Sequence, residues 1–127
     1  MAYGTINVDT LTASTGVLAT QNGMTGIAKA WVQYNGSTQT INGSFNVSSV
    51  TYTSTGQYTI NFTTAMTNTN YCVVASGGNS TNSSIAPTLG NSGYNPSFLT
   101  TSVKVAYDNS SGTYINPTFA CVAILGS

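Results

Sequence analysis

Residues 28–34 read Ala-Lys-Ala-Trp-Val-Gln-Tyr and are followed at once by Asn35-Gly36. Ala28, Ala30, Val32 and Tyr34 fall on one side of an extended chain, whereas Lys29, Trp31 and Gln33 fall on the other. This period of two is typical of a β-strand with one face in a core. The Asn-Gly pair accepts the positive φ angles of a type I′ turn, so the stretch predicts a strand that enters a hairpin.

The same alternation continues along the chain. It predicts strands at 40–47, 48–53, 57–63, 71–76, 98–107 and 118–125. Residues 48–53 and 57–63 should form one hairpin, and 108–112 should close another. In the second segment, the side chains of Ile41, Gly43, Phe45 and Val47 should share a face. Residues 118–125 are apolar on both faces, which predicts a central strand or one covered by another subunit. The sequence therefore predicts an all-β fold, an antiparallel β-sandwich or small barrel of about seven or eight strands.

Two polar segments stand apart from the predicted strands. Residues 1–25 are too few to build a core, and we interpret them as an N-terminal arm that precedes a β-sandwich domain at 26–127. Residues 77–97 form a long Asn-, Ser- and Gly-rich loop, and long loops on β scaffolds are commonly functional. Within it, Tyr94 could stack on a sugar ring while Asn91 and Asn95 hydrogen-bond to its hydroxyls. These three residues are the candidate glycan or receptor contacts.

Charged side chains are very scarce. The chain has two lysines, two aspartates (Asp9 and Asp108) and no arginine, histidine or glutamate. General acid–base catalysis needs paired proton-exchanging groups, so we expect no enzyme, no catalytic residues and no cofactor. Two lysines cannot supply the phosphate contacts of nucleic acid binding, and no apolar run is long enough for a membrane span. Two cysteines without histidine build no zinc site, so no metal is expected.

The two cysteines, Cys72 and Cys121, both lie in apolar strand-like runs. The favoured interpretation is a pair of buried thiols that act as small hydrophobic side chains. A disulfide between neighbouring strands is the alternative. Trp31 is interpreted mainly as a core or interface residue, with sugar stacking as the alternative.

Several stretches resemble proteins of tailed bacteriophages, of the marine and cyanobacterial type. Residues 4–12 (Gly-Thr-Ile-Asn-Val-Asp-Thr-Leu-Thr) are similar to the opening of tail-fibre and other virion proteins. Residues 28–36, 44–50 and 56–62, together with the apolar ending at 119–124, resemble a C-terminal fibre domain. The resemblance covers nearly the whole chain. It departs from full fibres in one respect, because no long shaft separates the anchor-like segment from the terminal domain.

The resemblance implies a structural protein at the virion surface, on tail or capsid, assembled in the host cytoplasm. We expect a short tail fibre or tip involved in host adsorption, with a capsid decoration protein (cement or head fibre) as the alternative. A secreted adhesin or lectin-like module is a third hypothesis, which the lack of a signal peptide disfavours. A depolymerase would need paired carboxylates. The expected partners are the chain itself, as a homotrimer, other virion proteins through the arm, and a host surface glycan.

Overall fold

The computed structural model describes residues 27–79, 85–88 and 97–126. Within these ranges the chain forms eight β-strands and no helix, which confirms the predicted all-β fold. The strands are β1 (Ala28–Tyr34), β2 (Ile41–Phe45), β3 (Val47–Ser54), β4 (Gln57–Phe62), β5 (Cys72–Gly78), β6 (Ile85–Thr88), β7 (Ser102–Asn109) and β8 (Phe119–Leu125).

The strands form two four-stranded antiparallel sheets. Sheet A has the order β2-β1-β8-β5, and sheet B has the order β3-β4-β7-β6. Contacts between β2 and β3 on one side and between β5 and β6 on the other show that the sheets lie over one another in the same order. Each sheet therefore has an inner face toward its partner and an outer face away from it, as in a β-sandwich.

The core fills the space between the two inner faces. Strict alternation in β1, β4 and β8 sends every second side chain inward, where it is almost completely buried. Tyr34, Tyr58 and Tyr107 have no exposed surface, and their rings pack edge to face, with Tyr58 centred 5.3 Å from Tyr34 and 6.0 Å from Tyr107. Such aromatic pairs stabilise a core beyond the area they bury.

Asn46 is the one residue between β2 in sheet A and β3 in sheet B. Its φ of 54° is a left-handed conformation that asparagine tolerates better than most residues. Its amide Nδ2 donates to the carbonyls of Lys29 and Thr64, both at 3.1 Å, and its Oδ1 accepts from the Thr64 amide at 2.7 Å. The side chain thus fixes the corner at which the chain changes sheet.

Asn116 joins loops at one end of the sandwich. Its Oδ1 accepts hydrogen bonds from the Gly56 amide at 2.6 Å and from the Tyr58 hydroxyl at 2.9 Å. Gly56 is buried with a φ of 69°, so this turn needs a residue without a side chain. The contacts tie the β3–β4 turn to the segment that leads into β8.

The first hairpin is present, but the predicted type I′ turn is wrong. Six residues, 35–40, connect β1 to β2, and the positive φ belongs to Gln39 at 59°. The Asn35 Oδ1 accepts from the amides of Ser37 and Thr38, so the asparagine side chain builds its own turn. The predicted single strand at 40–47 is also divided, because the chain changes sheet at Asn46. Phe45 consequently faces outward while Val47 is buried.

Two further predictions in the C-terminal half are corrected. Residues 77–97 are not one loop, because β6 lies within them and pairs with β7. Residues 108–112 do not close a hairpin between paired strands, because β7 belongs to sheet B and β8 to sheet A. In its place, the Asn109 Oδ1 accepts from the amides of Ser111 and Thr113, which turns the chain toward the other sheet.

Candidate interaction surface

The outer face of sheet A is apolar although it lies on the surface. Four of its side chains are large, hydrophobic and substantially exposed: Trp31 at 43 %, Phe45 at 56 %, Val74 at 53 % and Phe119 at 51 %. We call this surface the apolar face. It consists of Trp31, Gln33, Gly43, Phe45, Cys72, Val74, Ser76, Gly78, Phe119, Cys121, Ala123 and Leu125.

The strand register places these side chains in rows across the sheet. Phe45 on β2, Trp31 on β1, Ala123 on β8 and Val74 on β5 lie side by side. Because Ala123 is small, a groove of about 400 Å³ runs over β8, with the Trp31 and Val74 side chains as its walls. Cys121 extends the floor of this groove along the same strand. The apolar face therefore has relief, with two ridges and a trough between them.

Two aromatic rings of the apolar face lie over glycines on neighbouring strands. A Cβ atom placed on Gly43 would meet the Trp31 ring at 3.4 Å, and one on Gly78 would clash with the Phe119 ring. An aromatic ring that covers a glycine stabilises a sheet where no side chain could pack. Both rings nevertheless remain about half exposed, Trp31 at 43 % and Phe119 at 51 %.

The outer face of sheet B is polar. The side chains that point outward from its three central rows are Ser49, Thr51, Gln57, Thr59, Asn61, Ser102 and Lys104, together with Ala106, which is completely buried. They bond to one another, because the Asn61 Nδ2 donates to the hydroxyls of Ser49 and Thr51, both at 3.0 Å. Hydroxyl, amide and ammonium groups predominate on this outer face, so it is suited to water.

The predicted glycan contacts belong to the part of the chain between β6 and β7. Tyr94, Asn91 and Asn95 lie outside the described residues, as do the N-terminal arm and its predicted boundary with the domain.

Trp31 is placed on the apolar face with its ring partly exposed, so the core interpretation of this residue is wrong. The interface and sugar-stacking interpretations remain predictions.

The two cysteines are not buried, contrary to the favoured interpretation. Cys72 is exposed and Cys121 is half-buried, and both are free thiols on the apolar face. Cys121 pairs in register with Ser76, four residues along β5 from Cys72. Four residues of a strand span about 13 Å, so a disulfide within one chain is excluded by geometry. The buried-thiol interpretation failed because strand position does not reveal which face lacks a cover.

Burial raises the pKa values of three tyrosines in the core. Desolvation raises the pKa of Tyr107 and Tyr58, and for Tyr58 the nearby Tyr52 adds to the effect. Burial also raises the pKa of Tyr71, whose hydroxyl donates to the Leu99 carbonyl at 2.9 Å. A raised pKa keeps each phenol neutral, so these groups act as packing and hydrogen-bonding residues.

Among the described residues, no three His, Cys, Asp or Glu side chains lie close enough to hold a metal ion. None of the described segments forms a helix long and apolar enough to cross a membrane. Comparison with protein-family models, with curated protein sequences and with solved structures found no match.

The residues that build the apolar face were not recognised from the sequence as a set. The prediction that Phe45 shares a face with Val47 is wrong, and the pattern around Val74 and Phe119 predicts strands without indicating which side is exposed. One signal did point to the surface, because β8 is apolar at both odd and even positions. The same doubled pattern in β5, at residues 72–75, could have extended the prediction to its neighbour.

Proposed function

We propose that this chain is a structural virion surface protein of a tailed phage, a short tail fibre or tip that takes part in host adsorption. It would act as a homotrimer, with residues 1–25 attached to other virion proteins and the β-sandwich directed outward. The proposal includes no catalysis. Its partners would be protein surfaces and a host surface glycan.

The observation that carries the proposal is the contrast between the apolar face and the polar outer face of sheet B. A protein that works alone in water gains nothing from exposing Trp31, Phe45, Val74 and Phe119 on one side. A subunit of a larger assembly buries such a surface. The near absence of charge, four charged residues in 127, supports the same interpretation, because a free neutral protein has little electrostatic protection against association.

The sequence resemblance supplies the virion context for this assembly. Residues 4–12 resemble the opening of phage fibre proteins, and the strands β1 to β4 include the stretches that resemble a terminal fibre domain. The alternative is a capsid decoration protein. The observation that favours it is the lack of a long shaft between residue 12 and β1.

Antibody labelling of purified particles tests the function directly. Antibodies raised against the full chain, coupled to gold, should label the tail tip in electron micrographs and should reduce adsorption to host cells. Label on the capsid, with adsorption unchanged, would select the decoration protein. Particles that carry no label, checked by mass spectrometry of the same preparation, would overturn the virion assignment.

A further inference from the structure

We propose that the apolar face is the surface through which copies of this chain pack against one another, with the Val74 ridge of one copy in the trough over Ala123 of the next. The inference rests on the proposed function in one respect, because both require copies of this chain to assemble; the contact pairs two copies and is additional to the three-fold contact of the proposed homotrimer. It is carried by four properties of the described residues.

The first property is the shape of the apolar face. The Val74 ridge lies on β5 and the Ala123 trough lies on β8, which are neighbouring strands of the same sheet. They are one strand spacing apart, about 4.8 Å. A second copy related by a two-fold axis that runs parallel to the strands, midway between β5 and β8, places its own ridge in the trough of the first and receives the first ridge in its own trough. The face is thus complementary to itself, which a surface made for an unrelated partner need not be.

The second property is charge. Lys29, at the start of β1 on the same side as Trp31, is the one charged residue on the outer side of the strands of sheet A that the structure describes; the twelve residues that define the apolar face carry no charge, and Gln33 and Ser76 are its only polar side chains. Two such faces meet without burying a charge or bringing like charges together. A glycan would find few hydrogen-bonding groups here, because the backbones of β1 and β8 are paired on both sides within sheet A. An apolar protein surface fits the face better.

The third property is area. Four strands about 4.8 Å apart and about seven residues long at roughly 3.4 Å per residue give a face of about 450 Å². A standard stable interface buries about 800 Å² on each partner. The apolar face thus supplies about half of a standard interface, so a stable contact needs further surface around it, and a single unfavourable substitution within the face should disrupt association.

The fourth property is the open edge beside the trough. Strand β5 borders sheet A and keeps an unbroken register with β8 over its seven residues. The other edge strands carry irregularities: β2 and β3 have register shifts, and β6 is four residues long and contains Pro87. Natural sheets use such features to prevent association at an edge. Among the described strands, β5 is the edge that lacks them, and it carries Val74.

A pair of lysine variants tests the proposal. Val74→Lys places an ammonium group in the contact, and an exposed edge-strand position should accept lysine without unfolding. Thr51→Lys is the matched control, since Thr51 is exposed on β3, the edge strand of sheet B, and points away from the core. We expect the Kd of self-association, measured by analytical ultracentrifugation, to rise by at least about tenfold for Val74→Lys and to stay unchanged for Thr51→Lys.

The two thiols and the single tryptophan report on the same contact without a mutation. In the oligomer, Cys72 and Cys121 should react slowly with a maleimide and Trp31 emission should be shifted to the blue. When the oligomer dissociates, by dilution or through Val74→Lys, the two thiols should react faster and the Trp31 emission should shift to the red. Circular dichroism and the Tm of each variant establish that the fold is intact.

Several results would overturn the assignment. They are a parent chain that stays monomeric at all concentrations, a Val74→Lys variant that assembles as tightly as the parent, and thiols that react as fast in the oligomer as in the monomer. If the thiols are protected in a monomer, residues of the same chain cover the apolar face. An oligomer that meets every expectation, from a phage whose particles carry no gold label, would retain this contact and overturn only the virion function.

Discussion

The two sheets of the sandwich are built alike on the inside and differently on the outside. Both have four antiparallel strands, and both send alternating Tyr, Val and Ile side chains into one shared core. On the outside, sheet A carries aromatic and aliphatic side chains, whereas sheet B carries hydroxyl and amide groups. Folding requires only the inner pattern. The difference between the outer faces therefore reflects what each sheet contacts after folding.

The comparison also explains why the apolar face does not compromise the fold. A β-strand presents its two faces independently, because successive side chains point in opposite directions. The outer positions of β1 and β8 can be apolar while their inner positions continue to fill the core. The sequence can thus specify one stable domain and one adhesive surface with the same strands.

The shared core should respond to high pH, and the loss of the whole fold is the largest effect we expect. Burial raises the pKa values of Tyr58, Tyr107 and Tyr71 above that of an unfolded tyrosine, which is about 10. Their contribution to stability is complete below pH 10 and is lost as the pH rises toward the folded values. Absorbance at 295 nm should show these phenols ionising only as circular dichroism reports unfolding.

A variant with one buried phenol removed sharpens that measurement. Tyr107→Phe leaves one fewer buried group to ionise, so its midpoint of alkaline unfolding should move to higher pH. Complete ionisation of all eight tyrosines near pH 10, with the sheets still intact, would contradict the burial of tyrosine side chains between the two inner faces.

Exchange of one residue pair between the outer faces should break the comparison and has the next largest effect. Phe45 and Trp31 are cross-strand partners on sheet A, and Thr51 and Thr59 are the corresponding pair on sheet B. Both pairs join an edge strand to the adjacent inner strand. Replacing Phe45 and Trp31 by threonine should weaken self-association by about 100-fold, as expected when two central aromatic contacts are lost.

The reverse exchange should create a second adhesive surface. Thr51→Phe combined with Thr59→Trp leaves the apolar face in place and adds an aromatic pair on the opposite side of the molecule. Copies that associate through two faces form open-ended assemblies, so light scattering should report larger particles than for the parent. If the replacement of Phe45 and Trp31 leaves the mass of the oligomer unchanged in light scattering, the outer side chains of sheet A do not determine association.

The sequence predicts the sheets far better than it predicts their surfaces. Alternation in residues 28–34 and 57–63 identifies β1 and β4, because the period of two is a local property of the chain. The assignment of Phe45 failed because Asn46 moves the chain from one sheet to the other, and its side-chain hydrogen bonds involve Lys29 and Thr64, which are distant in sequence. Which face of a strand remains uncovered depends on the pairing of all four strands. Local pattern cannot supply that pairing.

The smallest effect concerns Asn61, whose amide is shared by Ser49 and Thr51 on the outer face of sheet B. These hydrogen bonds are exposed, so water replaces them when they are lost. Asn61→Ala should lower the free energy of unfolding by less than about 0.5 kcal/mol and leave self-association unchanged.

Ala123→Ser, a substitution of similar size on the apolar face, is the matched comparison. Its hydroxyl would lie in the trough that receives Val74, so it should weaken association while leaving the Tm nearly unchanged. Chemical denaturation and ultracentrifugation of the two variants therefore separate a surface that water satisfies from one that a second copy must cover. Equal effects of the two substitutions on association would remove the distinction between the faces.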